Sequence, residues 1–328
     1  MLKVALVGIG FMGRMHASVY ETLSNAQIVA IVDKDPKRLE PFGVKGFATV
    51  EEALTAVEID AVDICLPTDL HREFTVKAAN AGKHVLCEKP MALSVGEADE
   101  MIAAAERNGV RLMIAHCIRF WPEYAYVTRL QREGTLGRLL SINLTRYGEF
   151  PSWSSDNWLA DAKRAGGGAL DMHIHDTDYA LGLLGEPEEM AAFGTEDARG
   201  MSQMFTTMRF ADGSVAHLEG GWNLPPKTPF KMAFRAIFER GAAIMDGGPL
   251  TIYAEGAEPQ TPEFEKMSTA GGGNISDLGG YYHEIKYFVD RVLSSEPFEV
   301  TDAQSSRRSL EVTLEEIHQA HGRQAACA

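Results

Sequence analysis

The sequence predicts an α/β protein in which a doubly wound parallel sheet precedes an α+β part with a mainly antiparallel open sheet. In the first third, short apolar runs alternate with helical patterns, which is typical of a parallel sheet covered on both faces. After Trp121-Pro122 the strand patterns become longer and more alternating, and Ala211–Ser214 carries a hairpin signal. A chain of 328 residues is also too long for one average core. We therefore predict two domains, residues 1–120 and 121–328.

The first domain is predicted from five buried-strand runs and the helices between them. The strands are Lys3–Val7, Gln27–Val32, Ala61–Leu66, His84–Cys87 and Arg111–Ala115. The helices are Phe11–Leu23, Leu70–Ala81 and Ser94–Asn108. Gly82 and Gly109 follow two of these helices as stop signals, and Ser94 with Glu97 makes a capping box.

The second domain begins with a helix and continues into strands. The predicted helices are Glu123–Glu133 and Tyr282–Leu293, and the predicted strands are Leu139–Tyr147, Gln203–Phe210, Val215–Trp222, Lys231–Phe238 and Ala243–Asp246. No internal repeat is visible in the sequence.

Charge and cysteine usage exclude several classes of protein. A net charge of −15 disfavours nucleic acid and anionic membranes as partners, since both require a basic surface. None of the four cysteines forms a C-x-x-C pair, which favours reduced thiols in a cytosolic protein. The N-terminus shows no signal peptide, and no apolar run approaches the length of a membrane span. We expect a cytoplasmic protein.

The first chemical motif is the glycine pattern Gly8-Ile9-Gly10-Phe11-Met12-Gly13 between the first strand and the first helix. Gly8 allows a tight turn, Gly10 lets a pyrophosphate approach, and Gly13 lets the helix pack against the sheet. Asp33 ends the second strand, where its carboxylate can accept from the ribose hydroxyls of NAD. The pattern indicates a dinucleotide-binding Rossmann domain; the alternative is a glycine-rich turn without a ligand.

The acid after the second strand also predicts the choice of cofactor. A 2′-phosphate would place like charge against Asp33, so NAD is favoured. Lys34 and Arg38 could pair with that phosphate and reduce the repulsion, so NADP is disfavoured but not excluded.

The second motif is Cys87-Glu88-Lys89-Pro90 at the end of the predicted strand His84–Cys87. Ligands of doubly wound sheets bind beyond the carboxyl ends of the strands, where Lys89 would face nicotinamide and substrate. A lysine at a strand end is as often simply solvated, so the motif alone leaves both interpretations open.

The third motif, GGGALDMHIHD at 166–176, contains two histidines and two aspartates. Apolar residues at helical spacing up to Leu184 favour a helix, which puts Asp171 and His175 on one face with Asp178 near it. His173 is then turned about 160° away from His175, so the two cannot grip one ion. We predict acid–base chemistry and no metal. A strand would permit a metal site, and a purely structural His175 is a third possibility.

Together with Leu66-Pro67-Thr68, His71 and Arg119-Phe120, these motifs resemble the glucose–fructose oxidoreductase, inositol dehydrogenase and rhizopine-catabolism (Gfo/Idh/MocA) family. The resemblance implies that Lys89, Asp171 and His175 are catalytic. The implied cofactor-binding residues are Gly8, Gly10, Phe11, Met12, Gly13, Asp33, Lys34, Leu66, Pro67, Thr68, His71, Glu88, Lys89 and Arg119. The implied substrate-binding residues are Lys89, Asn157, Trp158, Asp171, His175 and Tyr281. The family usually has a small residue at position 173, so His173 could affect substrate choice or only fill space.

These observations predict an NAD-dependent dehydrogenase of a sugar or inositol-like polyol, with His175 as general base and Lys89 stabilising the alkoxide. The loop 148–165 offers Trp153 and Trp158 beside polar groups, which suits a polyol ring, although packing of these tryptophans is as good an explanation. The alternatives are an NAD-using glycoside hydrolase or lyase of the same family and a non-catalytic NAD(P)-binding regulator. A homo-oligomer, dimer or tetramer, is expected.

Overall fold

The structure is a computed structural model that describes residues 1–152, 154–265 and 279–327. The chain forms two compact units. The first comprises Met1–Phe120 and, among the described residues, 154–156 and 279–307; the second comprises Trp121–Ser152, Asn157–Glu265 and 308–327. The units are thus not contiguous along the chain, whereas the predicted domains 1–120 and 121–328 are. That functional division stays a prediction.

The first unit is built on a six-stranded parallel sheet in the order β3-β2-β1-β4-β5-β6. Its strands are β1 Leu2–Val7, β2 Ala26–Val32, β3 Lys45–Phe47, β4 Ala61–Ile64, β5 His84–Glu88 and β6 Leu112–Ala115. The predicted doubly wound sheet is confirmed. The strand order reverses between β1 and β4, and such a switch point is where this architecture binds its ligands.

Five described helices belong to this unit, and one of them comes from far along the chain. They are α1 Phe11–Tyr20, α2 Val50–Ala56, α3 His71–Asn80, α4 Val95–Arg107 and α8 Gly279–Ser294. Ile285, Phe288 and Val289 of α8 are fully buried in one apolar cluster with Leu2 and Met113 of the sheet. The last helix of the sequence prediction therefore completes the core of the first unit.

The second unit contains a seven-stranded sheet in the order β13-β12-β11-β7-β10-β9-β8. Its strands are β7 Leu139–Glu149, β8 Pro187–Asp197, β9 Gly200–Phe210, β10 Val215–Leu224, β11 Lys231–Phe238, β12 Gly241–Met245 and β13 Thr251–Ala254. Neighbouring strands are antiparallel except β7 and β10, which are parallel. The mainly antiparallel sheet that the alternating patterns predict is confirmed.

Helices cover one face of this sheet. They are α5 Pro122–Glu133, α6 Ala162–Ala165, α7 Ile174–Leu184 and, from residue 308 onward, α9 Ala303–Cys327. Along β9 the buried Thr206 and Met208 alternate with the exposed Phe205 and Thr207, so one face of the sheet is covered and the other is open. None of the described helices has the length and apolarity to cross a membrane.

Candidate functional site

The glycine turn after β1 has the geometry that a dinucleotide requires. Gly8 adopts φ +89°, a left-handed conformation that favours glycine. A Cβ on Gly13 would lie 1.9 Å from the carbonyl oxygen of Gly8, so a side chain there would separate α1 from the turn. A Cβ on Gly10 would instead meet only the Ser155 hydroxyl, at 3.8 Å, which leaves open space above the backbone for a pyrophosphate. The residues present therefore fit NAD.

Asp33 connects the end of β2 to this turn. One carboxylate oxygen accepts from the backbone N–H of Ile9 at 2.8 Å, and the other accepts from the N–H of Asp35 at 2.9 Å. Each oxygen retains a further lone pair, so the carboxylate can still accept from two ribose hydroxyls. The Arg38 guanidinium lies 3.6 Å from Asp33.

His71 ties two strand ends together at the switch side of the sheet. Its Nδ1 lies 2.8 Å from the carbonyl oxygen of Pro90, and its Nε2 lies 2.8 Å from that of Leu66. Burial lowers the pKa of His71, so the ring is neutral and donates to one carbonyl at a time. With both nitrogens against backbone oxygens, the ring holds the Leu66-Pro67 turn against the Lys89-Pro90 segment. A direct contact of His71 with the cofactor stays a prediction.

Next to Lys89 begins a buried series of hydrogen-bonded ionisable side chains. The sequence prediction missed this series. Glu88 accepts from the backbone N–H of Lys89 at 3.1 Å and contacts Nε2 of His16 at 3.1 Å. The other ring nitrogen of His16 lies 2.9 Å from the carboxylate of Asp63. Burial disfavours a charged imidazole, but the adjacent Asp63 carboxylate outweighs it and holds the pKa of His16 well above its ordinary value.

The same cluster bears on the prediction that the protein binds no metal. His16, Asp63 and Cys65 are close enough to share an ion, and this group lies outside the motifs that the sequence prediction weighed. Burial raises the pKa of the Cys65 thiol, so without an ion it keeps its proton. An imidazolium donating to Asp63 and Glu88 accounts for the distances. The predicted absence of a metal stays a prediction.

In the second unit, the glycine-rich lead-in allows a close approach between backbone segments. A Cβ on Gly168 would lie 2.6 Å from the carbonyl oxygen of Ser202 in β9, and Gly167 has φ +77°. The chain then forms a π-helical turn, Ala169–His173, that continues directly into α7. The predicted helix is present, but its first turn is wider than an α-turn. Single π-turns inside helices occur frequently at functional sites.

The helix separates its ionisable side chains by exposure. Asp171 and His175 are partly exposed, whereas His173, Asp176 and Asp178 are fully buried. Asp178 accepts from the Ser309 hydroxyl of α9 at 2.8 Å and is fully buried. Its expected place near the face of Asp171 and His175 stays a prediction.

Each buried group on the inner face has a partner within the unit. His173 Nε2 lies 3.2 Å from Glu316 of α9, and Glu316 also accepts from the Thr177 hydroxyl at 2.9 Å. Asp176 accepts from the guanidinium of Arg146 at 2.9 Å. Burial raises the pKa of Asp176, and Arg146 opposes that shift. The buried pairs fix the helix that carries Asp171 and His175.

Each of the other predicted site residues belongs to one of the two units. Lys89 is partly exposed at the end of β5. Tyr281 of α8 faces His16, with ring centroids 6.5 Å apart, and Arg119 donates to the carbonyl oxygen of Val300 at 2.8 Å. Trp158 packs on the cluster of Leu159, Ala165 and Trp222, and Asn157 beside it is exposed. Trp153 lies outside the described residues.

Two family models match this chain along most of its length. Residues 2–116 match an oxidoreductase family with an NAD-binding Rossmann fold, and residues 124–244 match the GFO/IDH/MocA C-terminal domain.

Relatives and solved structures agree with these matches. The chain is 31% identical over 317 residues to a myo-inositol 2-dehydrogenase of Thermotoga maritima, which covers 90% of both chains. It is 31% identical to a 2,7-anhydro-N-acetylneuraminate hydratase of Escherichia coli over 67% of this chain, and the match spans 62% of that relative's length.

An oxidoreductase from Agrobacterium radiobacter, solved in complex with NAD+, L-tartaric acid and magnesium, superposes with a TM-score of 0.87 at 20% identity. The superposition covers 98% of this chain and 96% of the Agrobacterium chain, which shows that the two share a fold. The cofactor turn, the strand order and the two matching family models lead to one conclusion: the chain belongs to the GFO/IDH/MocA family of oxidoreductases, whose first domain binds NAD.

Proposed function

We propose that this protein is an NAD-dependent dehydrogenase that oxidises a secondary hydroxyl of a sugar, a sugar derivative or an inositol-like polyol. The observation that carries the proposal is how the GGGALDMHIHD motif divides its ionisable side chains between buried and partly exposed positions. Its buried ionisable groups are all paired within the second unit, and the two partly exposed groups are Asp171 and His175. A partly exposed acid and a partly exposed base are suited to proton transfer when buried pairs fix the opposite face of the helix that carries them.

In the proposed reaction, His175 accepts the proton of the substrate hydroxyl, since imidazole is suited to a general base near neutral pH. Asp171 hydrogen-bonds the substrate or the imidazole and stabilises the imidazolium. Lys89 donates to the reacting oxygen and stabilises its developing negative charge. When bound, the nicotinamide supplies the acceptor for the hydride that leaves the carbinol carbon.

We propose NAD rather than NADP as the preferred cofactor. Asp33 is buried at the end of β2, and its carboxylate is already oriented by two backbone N–H groups. This orientation favours ribose hydroxyls, which donate to the carboxylate, over a 2′-phosphate, which repels it.

The inositol dehydrogenase relative supports a polyol substrate, and the hydratase relative supports a second candidate function. In that alternative, transient oxidation by bound NAD would labilise a neighbouring C–O bond, and the cofactor would be returned to its oxidised form. Net NADH accumulation on inositols, aldoses or sugar acids supports the dehydrogenase. Turnover of an anhydro-sugar or glycoside without net NADH supports the alternative.

His175→Ala tests the proposed mechanism. We expect kcat to fall by about 10²–10⁴ while NADH binding, followed by its fluorescence, stays nearly unchanged. Gln304→Ala, at an exposed position in the first turn of α9, serves as a control for mutation alone. Near-normal turnover of His175→Ala at neutral pH would remove His175 from the role of base.

We also propose a cytoplasmic homo-oligomer. Cys65, Cys87 and Cys117 are free thiols, as expected in a reducing compartment. Phe193 and Phe205 face each other across β8 and β9 on the open side of the sheet, with exposed fractions of 53% and 37%. Arg209 and Glu189 pair beside them, so the same patch offers apolar groups and both signs of charge to a second copy.

A further inference from the structure

A short segment from the middle of the chain lies on the cofactor half of the first unit. Residues 154–156 group with the first unit, although the chain on both sides of them belongs to the second. The Ser155 hydroxyl is the nearest atom to a Cβ built on Gly10, at 3.8 Å. The segment therefore passes beside the position at which a pyrophosphate meets the glycine turn.

The segment binds two of the cations that follow Asp33 along the chain. Lys34 Nζ donates to the carboxylate of Asp156 at 2.8 Å, and the Arg38 guanidinium donates to the Ser155 hydroxyl at 3.0 Å. Asp156 has φ +54°, a left-handed conformation that few non-glycine residues adopt without surrounding support. The contact with Lys34 is one such support.

A 2′-phosphate on the adenosine ribose requires such cations. Lys34 follows Asp33 directly, and Arg38 lies 3.6 Å from the carboxylates of both Asp33 and Asp35. Released from the segment, these two side chains are the ones that could neutralise a phosphate at the ribose. While Asp156 and Ser155 bind these two side chains, neither cation is available to a 2′-phosphate. Asp156 also adds a negative charge beside Lys34.

We propose that Asp156 and Ser155 determine cofactor selectivity by withholding Lys34 and Arg38 from a 2′-phosphate. Asp33 attracts the ribose hydroxyls of NAD, and the 154–156 segment removes the cations that would compensate for Asp33 in the presence of NADP. The inference rests on the proposed binding of NAD, and it adds a second determinant that lies about 120 residues further along the chain than Asp33.

The test is a binding measurement without substrate, so it does not depend on turnover. The dissociation constants of NAD+ and NADP+ are measured by calorimetry for the full-length chain and for Asp156→Asn. We expect the ratio of the two constants to shift toward NADP+ by about threefold to tenfold, as for the loss of one exposed charge pair together with one repulsion. Ser155→Ala should shift the ratio in the same direction through Arg38.

A double variant and a matched control make the result specific. Asp156→Asn combined with Lys34→Gln should lose the gain, since the cation that Asp156 releases is then absent. Glu73→Gln breaks another exposed acid–lysine pair of the first unit, with Lys77 at 2.7 Å, and should leave the ratio as in the parent. An unchanged ratio in Asp156→Asn, with NAD+ still bound, overturns this inference alone. Failure of the parent protein to bind either dinucleotide overturns both this inference and the proposed function.

Discussion

At the scale of single residues, Asp33 makes the sharpest prediction about the cofactor. Its carboxylate bridges the glycine turn and the end of β2 through backbone N–H groups. We expect the parent enzyme to favour NAD over NADP in kcat/KM by at least about tenfold, or roughly 1.4 kcal/mol. Asp33→Ala should narrow or invert that preference, as steady-state kinetics with both cofactors would show. An unaltered ratio in Asp33→Ala would mean that this carboxylate does not face the ribose.

His16 predicts how stability depends on pH. Its pKa is raised in the folded protein, so the folded state keeps a proton that the unfolded state loses above about pH 6.5. The contribution of His16 is fully present below that pH and is lost as the pH rises toward the folded pKa. Between pH 6.5 and 8.5 we expect the free energy of unfolding to fall by up to about 1.4 kcal/mol per pH unit more steeply than in His16→Gln.

Urea unfolding at three pH values would measure this difference. The groups that face His16 are Asp63, Glu88, Cys65 and Tyr281. Burial raises the pKa values of the Cys65 thiol and the Tyr281 hydroxyl, so both remain protonated over this range. Equal slopes for parent and variant, or an imidazole NMR signal of His16 that titrates near pH 6.5, would contradict the assignment.

At the scale of elements, the helix that carries Asp171 and His175 depends on α9. His173 is fully buried, contacts Glu316, and fills the space beside Gly220, whose added Cβ would lie 2.9 Å from the His173 ring. A role in packing therefore explains this histidine better than a role in substrate choice. We expect His173→Gly to lower the free energy of unfolding by about 1–3 kcal/mol, since it removes one of the buried partners of Glu316 and leaves Thr177 as the other.

The same variant should keep the substrate ranking of the parent at a temperature at which both are folded. A substrate screen read at the NADH absorbance, alongside denaturant unfolding, separates the two roles. A changed ranking with unchanged stability would return His173 to the substrate site.

The sequence predicted most of the elements that have strong local patterns, and β3, β8 and α9 are among the elements that it missed. β3 has three residues at the sheet edge, and β8 contains four acidic residues, a proline and a glycine, so neither shows the usual strand composition. The helix α9 did have a signal, since Leu310, Thr313 and Ala320 recur at helical spacing and are buried.

Local sequence patterns also decided which features of the candidate site could be predicted. The spacing of Asp171 and His175 was enough to put them on a helix, whereas the π-helical turn has no signature in local sequence. His16 and Glu316 owe their positions to partners 47 to 143 residues away, which no local pattern reveals.

At the scale of the whole molecule, the open face of the seven-stranded sheet predicts self-association. Light scattering should give a mass above that of one 35.9 kDa chain. Phe193→Ser combined with Phe205→Ser should shift the mass toward the monomer, because burial of an aromatic side chain at an interface contributes on the order of 1.5–3 kcal/mol. Leu293→Ser, at an exposed apolar side chain of α8 in the first unit, is the control. A monomeric parent would contradict the proposed assembly.

The place of α8 in the first unit also bears on how the protein is made. The core of the cofactor-binding sheet closes only when Ile285, Phe288 and Val289 reach it. A ribosome that has finished β6 must add about 170 further residues before these side chains emerge, which takes roughly ten to thirty seconds at ordinary synthesis rates. During that interval the nascent sheet presents an uncovered apolar surface to the surrounding solvent, and a fragment ending at residue 120 would present it permanently.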